Sequence, residues 1–279
     1  MTKSQVSAPR PAKSPYRIAV ASMSSPGNAV ETYGPIVSYL TKKLKRPTQL
    51  VLAHSYAELN EKVRLREALA AFVCSGGYVE GHSRFGMELV AVPQYNGRPT
   101  YYCYIISSAR SAAKGLADFR GKRFAFTDRD SNTGCGIPTY QILKMGLSPE
   151  SYFQEVIYTR NHDKSIAAVR TGVVDGAAVD NILYELAIRR DPLLKVQTKI
   201  VARYGPCAAP PVVVNPNADD EFKTSLKRIL LNMHRDPEGR KILRDMMTDR
   251  FVPGADSAYD SIRVMRKEIE AWRNRPGAR

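Results

Sequence analysis

Short apolar runs recur along the chain, and most are followed by a stretch in which apolar residues return every three or four positions. That alternation predicts strands near 16–21, 48–52, 70–74, 88–92, 102–106, 123–126, 153–158, 176–179, 196–202 and 212–215. Helices are predicted between them at 30–43, 56–66, 138–145, 162–171 and 181–190; in the first, Tyr33, Ile36, Val37, Leu40 and Leu44 share one helical face. Alternating strands and helices imply an α/β architecture with largely parallel strands. After Pro216 the texture changes, and 219–235, 237–248 and 256–272 read as three charged helices with no strand between them.

Two places invite a boundary. An apolar strand runs into Ser/Ala-rich sequence around 106–114, and a Gly/Pro-rich crossing, Tyr204-Gly205-Pro206-Cys207-Ala208-Ala209-Pro210-Pro211, precedes another strand. Two crossings imply one lobe inserted into another, with residues 16–105 plus 206–279 as lobe I and 106–205 as lobe II. Residues 1–15, rich in Ser, Pro, Ala and Lys, are expected to be a flexible tail.

Composition narrows the function. With 42 Lys and Arg against 27 Asp and Glu, the net charge of +15 favours anionic partners. The basic residues are dispersed, and no helix-turn-helix, zinc finger or aromatic single-strand platform accompanies them, which argues against a nucleic-acid partner. No run approaches the length of a membrane span. Four cysteines at 74, 103, 135 and 207 match neither a zinc pair nor a disulfide framework, so no metal is expected. The motifs of nucleotide binding, serine hydrolysis and zinc proteolysis are missing, so neither an enzyme nor a cofactor is expected. A transferase built on Cys135 with His162 is the enzymatic alternative.

Several strand ends carry anion chemistry. Thr127-Asp128-Arg129-Asp130-Ser131-Asn132-Thr133-Gly134 begins like a calcium loop, but Thr133 and Thr139 stand where such a loop needs Gly and Glu. Ser131, Asn132 and Thr133 instead suit the start of a helix, whose free N–H groups and dipole face a negative ligand; a plain N-cap is the simpler reading. The Ser22–Asn28 and Cys74–Tyr78 loops follow strands in the same way, and open parallel sheets bind ligands at such ends. His162 opens a further helix and Asp180 ends a strand; either residue also suits a cap.

These segments, with Tyr33-Gly34-Pro35-Ile36-Val37, Ser55-Tyr56-Ala57-Glu58-Leu59 and Ala71-Phe72-Val73-Cys74-Ser75-Gly76-Gly77-Tyr78, resemble in order the phosphate/phosphite/phosphonate substrate-binding proteins of ABC transporters, the PhnD-like group. The resemblance implies a two-lobed type II periplasmic-binding fold with two crossing hinge strands and a helical C-terminus. It implies a monomeric periplasmic receptor, with its export signal absent from this sequence, that hands a small phosphorus oxyanion to an ABC permease. Ser131, Asn132 and Thr133 would hold the phosphorus-bound oxygens, His162 and Tyr101 would donate from the sides, and Tyr56 would close from the other lobe. Asp180 would read a protonated oxygen or an amino group, and Ser75 and Tyr78 would complete the wall. The sequence departs from the pattern at Ala70-Ala71, where relatives carry an acid, and at Cys103 and Cys135. Those two thiols raise an alternative: an oxyanion sensor, with arsenite as its candidate ligand, partnering a membrane histidine kinase.

Overall fold

A computed structural model describes residues 14–21 and 23–275; most of the expected tail, and Ser22, lie outside the described residues. The chain runs β1 (Tyr16–Val20), α1 (Pro26–Leu44), β2 (Thr48–Leu52), α2 (Tyr56–Arg64), β3 (Ala70–Phe72), α3 (Ser75–Phe85) and β4 (Glu88–Gln94). It continues through β5 (Thr100–Ser108), β6 (Arg123–Phe126), a wide π turn (Asn132–Gly136), α4 (Ile137–Lys144), α5 (Pro149–Tyr152), β7 (Glu155–Tyr158), α6 (His162–Arg170) and β8 (Gly176–Asp180). The remainder is α7 (Asn181–Arg190), α8 (Leu194–Gln197), β9 (Thr198–Ala208), β10 (Val212–Val214), α9 (Asp220–Asn232), α10 (Pro237–Asp245), β11 (Arg250–Val252) and α11 (Asp260–Arg273).

Two sheets organise these elements. The first has the order β11-β4-β10-β3-β1-β2 and the second β7-β6-β8-β5-β9. In the first, β1 lies parallel to β2 and β3 while β10 runs antiparallel to β3 and β4; in the second, β6 lies parallel to β7 and β8, and β5 runs antiparallel to β8 and β9. The chain passes between sheets twice, from β4 into β5 and from β9 into β10.

Burial explains the strand sequences. β3 and β10 are covered on both faces and are apolar throughout, as Ala-Ala-Phe and Val-Val-Val. Helices α1 and α9 pack on this sheet through Ile36, Leu40, Phe222 and Leu226. The second sheet is held by an aromatic cluster in which Phe124 stacks on Phe153 at 4.4 Å while Phe119 and Phe126 meet Phe124 edge-on. Burying one such ring is worth about 2–3 kcal/mol.

Four local readings need correction. Ser75–Phe85, read as a loop at its start, is a helix despite Gly76, Gly77 and Gly81. The C-terminal region contains a strand, β11, too short to show a periodicity and added antiparallel to the edge of β4. The Gly/Pro-rich segment is half strand, since β9 continues to Ala208 before the chain leaves the sheet. Helix α1 also begins earlier than its apolar stripe, at Pro26, where a missing N–H costs nothing.

Candidate functional site

The parallel strands of each sheet deliver helix starts to one cleft. From the first sheet come the N-termini of α1, α2 and α3; from the second come those of the π turn, α6 and α7. The two sides touch. His162 N–H donates to the Met23 carbonyl at 3.0 Å, and Asp163 accepts from Ser25 N–H at 2.6 Å and from the Asn28 amide at 2.8 Å. Asp128 accepts from Tyr56 N–H at 3.3 Å. Gly76 lies so close to the Asp130 carbonyl that a Cβ there would overlap it.

The segment 127–136 is shaped by its own polar groups. Asp128 accepts the Asp130 N–H at 2.9 Å, and its carbonyl accepts Ser131 N–H at 3.0 Å, which turns the chain back toward the cleft. The Ser131 hydroxyl caps Gly134 N–H at 3.0 Å, and the Gly134 carbonyl accepts Thr127 N–H. Only glycine fits at 134, because a Cβ would overlap the Thr127 side chain. As at any helix start, the first turn leaves N–H groups of this segment without intrahelical acceptors. Asn132 donates to the Tyr101 hydroxyl at 3.0 Å, and the Tyr56 phenol faces Ser131. Four buried side-chain oxygens here or adjacent complete no hydrogen bond within the protein: Tyr56 Oη, Asn60 Oδ1, Thr127 Oγ1 and Asn132 Oδ1. A buried polar atom left unpaired costs roughly 1–3 kcal/mol, so these oxygens are candidates for contact with a polar ligand.

His162 and Asp180 sit side by side. The His162 Nδ1 accepts from Asp180 N–H at 3.0 Å, which puts the ring proton on Nε2. Burial pushes the imidazole down to about 4, so it is a neutral donor at neutral pH. Asp180 caps α7 by accepting from Ile182 and Leu183 N–H at 2.7 and 3.2 Å, while burial pushes its carboxyl up to about 7. A carboxyl poised there serves as donor or acceptor. A small cavity of about 40 Å³ joins Asp180 to Tyr33, Tyr95 and Met23 of the first side.

All nine sequence-derived ligand candidates, Tyr56, Ser75, Tyr78, Tyr101, Ser131, Asn132, Thr133, His162 and Asp180, are at most 3% exposed. They are not all aimed alike. Tyr56, Tyr101, Ser131 and Asn132 converge, and Ser75, which donates to the Ala208 carbonyl at 2.7 Å, lies beside the Tyr101 phenol, whereas Tyr78 donates to Asp256 at 2.7 Å, away from that group. Cys135 lies against Thr139, and burial pushes its thiol up to about 11. Cys103 is within the second sheet, opposite Asp180, its thiol raised further by burial. The thiols beside Asn132 are those of Cys207, against its side chain, and Cys74, against its backbone N–H.

Sequence reasoning missed Asn60, Thr127 and the cross-cleft role of Asp163. Asn60 carried a signal, since it is the polar member of the buried stripe Tyr56, Leu59, Asn60 and Val63 on α2.

Two lobes built on α/β sheets, joined by two crossings and meeting at opposed helix starts, define the class of type II periplasmic-binding proteins. The chain belongs to the family described as "ABC transporter, phosphonate, periplasmic substrate-binding protein", whose profile matches residues 18–259. It is 25% identical over 253 residues to the phosphate-import protein PhnD of Mycolicibacterium smegmatis, covering 83% of this chain and 78% of that one. The fold is similar to that of a binding-protein component of an ABC phosphonate transporter from Pseudomonas aeruginosa, with TM-score 0.88, 20% identity, and 94% and 89% of the two chains covered. It is also similar to PhnD1 from Prochlorococcus marinus in complex with methylphosphonate, with TM-score 0.83, 16% identity, and 91% and 98% covered. Among the described residues no helix is long and apolar enough to cross a membrane.

Proposed function

We propose that this chain is a periplasmic receptor that binds a small phosphorus oxyanion, phosphite, phosphonate or phosphate-like, without turning it over, and presents it to an ABC permease as a monomer. The observation that carries the reading is the convergence of Tyr56, Tyr101, Ser131 and Asn132 on one helix start, with buried oxygens left unpaired around it. Ser131, Asn132 and Thr133 hold the phosphorus-bound oxygens through hydroxyl, amide and backbone N–H groups. His162 donates from Nε2, Tyr101 and Tyr56 donate from their phenols, and Asp180 pairs with a protonated oxygen or an ammonium group. Ser75 and Tyr78 support the wall through their bonds to Ala208 and Asp256.

The lobes expected from the sequence, residues 16–105 with 206–279 and residues 106–205, meet within β5 and β9, the two long strands of the second sheet next to the crossings; bending at these crossing strands opens and closes them. Ligand bridging the lobes stabilises the closed form by the contacts it makes only there. The similarity to relatives named for phosphate import and for phosphite binding, and to a structure in complex with methylphosphonate, supports this ligand class. Isothermal titration with phosphite, methylphosphonate, 2-aminoethylphosphonate and phosphate tests it. Saturable one-to-one binding of at least one is expected; absence of heat from all four overturns the reading.

A further inference from the structure

The buried residues assigned to the oxyanion include neither Lys nor Arg, and His162 among them is neutral, with its pKa near 4. Neutral donors hold an anion well at contact distance but attract it weakly from solution, because dipolar fields fall off faster than that of a charge. The long-range attraction therefore has to come from charges elsewhere on the path inward.

Such charges are gathered at one mouth of the cleft. A cavity of about 200 Å³ lies between the ends of β1 and β2 on one side and the start of α6 on the other. Its ionisable lining is His54, Arg160 and Lys164, all exposed; no carboxylate lines it, and the Glu58 carboxylate outside the lining accepts the His54 backbone N–H at 2.7 Å. The remaining walls are small or apolar, with Ser24 and Asn161 as the polar neighbours. Among the described residues neither Arg160 nor Lys164 has a carboxylate partner within ion-pair distance. The acid next in sequence, Asp163, directs its carboxylate to Ser25 N–H and the Asn28 amide.

The backbone supports this placement. Arg160 has φ of +74°, a left-handed conformation that a non-glycine residue rarely adopts, and it is held by its N–H donating to the Thr127 carbonyl at 3.1 Å. Thr127 is the residue whose own hydroxyl is unpaired next to the anion loop. The strained turn thus ties an outward-facing guanidinium to the inner site, and the cavity's Asn161 immediately precedes His162.

We propose that this cavity is an outer capture site for the oxyanion, resting on the functional reading above. The anion is first drawn to Arg160 and Lys164, and then passes to the neutral donors at Ser131–Thr133 and His162 as the lobes close. Charges that steer a ligand set the association rate and its salt dependence, whereas groups that hold it set the dissociation rate.

Stopped-flow measurement of methylphosphonate binding over a series of ionic strengths tests the proposal, comparing the wild type with Arg160→Gln/Lys164→Gln. The double variant is expected to associate about tenfold more slowly at low salt, to lose most of its salt dependence, and to dissociate within about twofold of the wild-type rate. Lys164→Glu alone, at an exposed helix position, should slow association by reversing one charge and keeps the test independent of any folding defect at Arg160. An unchanged association rate in both, or a loss found wholly in dissociation, overturns the capture site while leaving the functional reading intact. If the wild type binds none of phosphite, phosphate and the phosphonates, that reading fails and the capture site falls with it.

Discussion

Asp163, at the start of α6 in one lobe, accepts the N–H of Ser25, the N-cap of α1 in the other, at 2.6 Å. Ser25 makes no side-chain cap of its own. The acid completes a helix that belongs to the opposite lobe, and it does so only when the lobes meet. Asp128 does the same for α2 through Tyr56 N–H. Asp163→Ala should raise the Kd for methylphosphonate about tenfold, chiefly through faster dissociation, because hydrogen bonds to a charged group contribute about 1.5–3 kcal/mol and 1.4 kcal/mol is tenfold. An unaltered dissociation rate in stopped-flow would count against this closing role.

Gly76 separates folding from closure. Alanine is the better helix former by about 1 kcal/mol, yet its Cβ would overlap the Asp130 carbonyl of the other lobe. Gly76→Ala should therefore melt no lower than wild type while losing at least tenfold in affinity, and ligand-induced compaction in small-angle scattering should shrink. Equal compaction in the two proteins would refute the idea.

The buried His162 and Asp180 pull stability in opposite directions with pH. Between about pH 4 and its ordinary 6.5, His162 is protonated only in the unfolded chain, so this residue makes stability rise with pH. Asp180, ordinarily ionised above 3.8 but folded with its proton up to about 7, makes stability fall as pH rises through that interval. In the wild type the two nearly cancel. Asp180→Asn should leave a rise on the order of 3 kcal/mol from pH 4 to 6.5, and His162→Gln should leave a decline of similar size. Urea unfolding midpoints across that range, with the same slope in all three proteins, would contradict the assignment.

Burial raises the thiols of Cys103 and Cys135, and the thiolate is the reactive form. Neither residue should react with iodoacetamide at pH 7.5 within minutes in the folded protein, and both should react in urea. Cys135→Ser should bind methylphosphonate within twofold of wild type, since the thiol pairs with the Thr139 hydroxyl of α4. Rapid labelling of Cys135 would revive the thiol chemistry.

The β/α alternation was legible because β1, β2 and β6 through β8 are short apolar runs joined by amphipathic helices, the periodicity that burial imposes. Helix α3 was hidden by its glycines. Gly76 is needed where a neighbouring backbone approaches, and Gly81 where Met87 packs against the helix, so tertiary contacts override helix propensity at both. The anion loop could be read from Ser131, Asn132 and Thr133, whose types suit a helix start. The partners of Asp128 and Asp163 could not, because both acids reach residues more than 70 positions away.

The last helix adds a third tie between the lobes. Arg266 of α11 bonds Glu80 of α3 at 3.0 Å and lies 3.7 Å from Asp130, while Glu268 accepts the Tyr140 hydroxyl of α4 at 2.9 Å. In the proposed hinge motion, opening the cleft displaces α11 against α4 as well as bending the crossing strands. That makes the exposed Lys267, beside this contact, a natural position for a fluorescent reporter of ligand in solution.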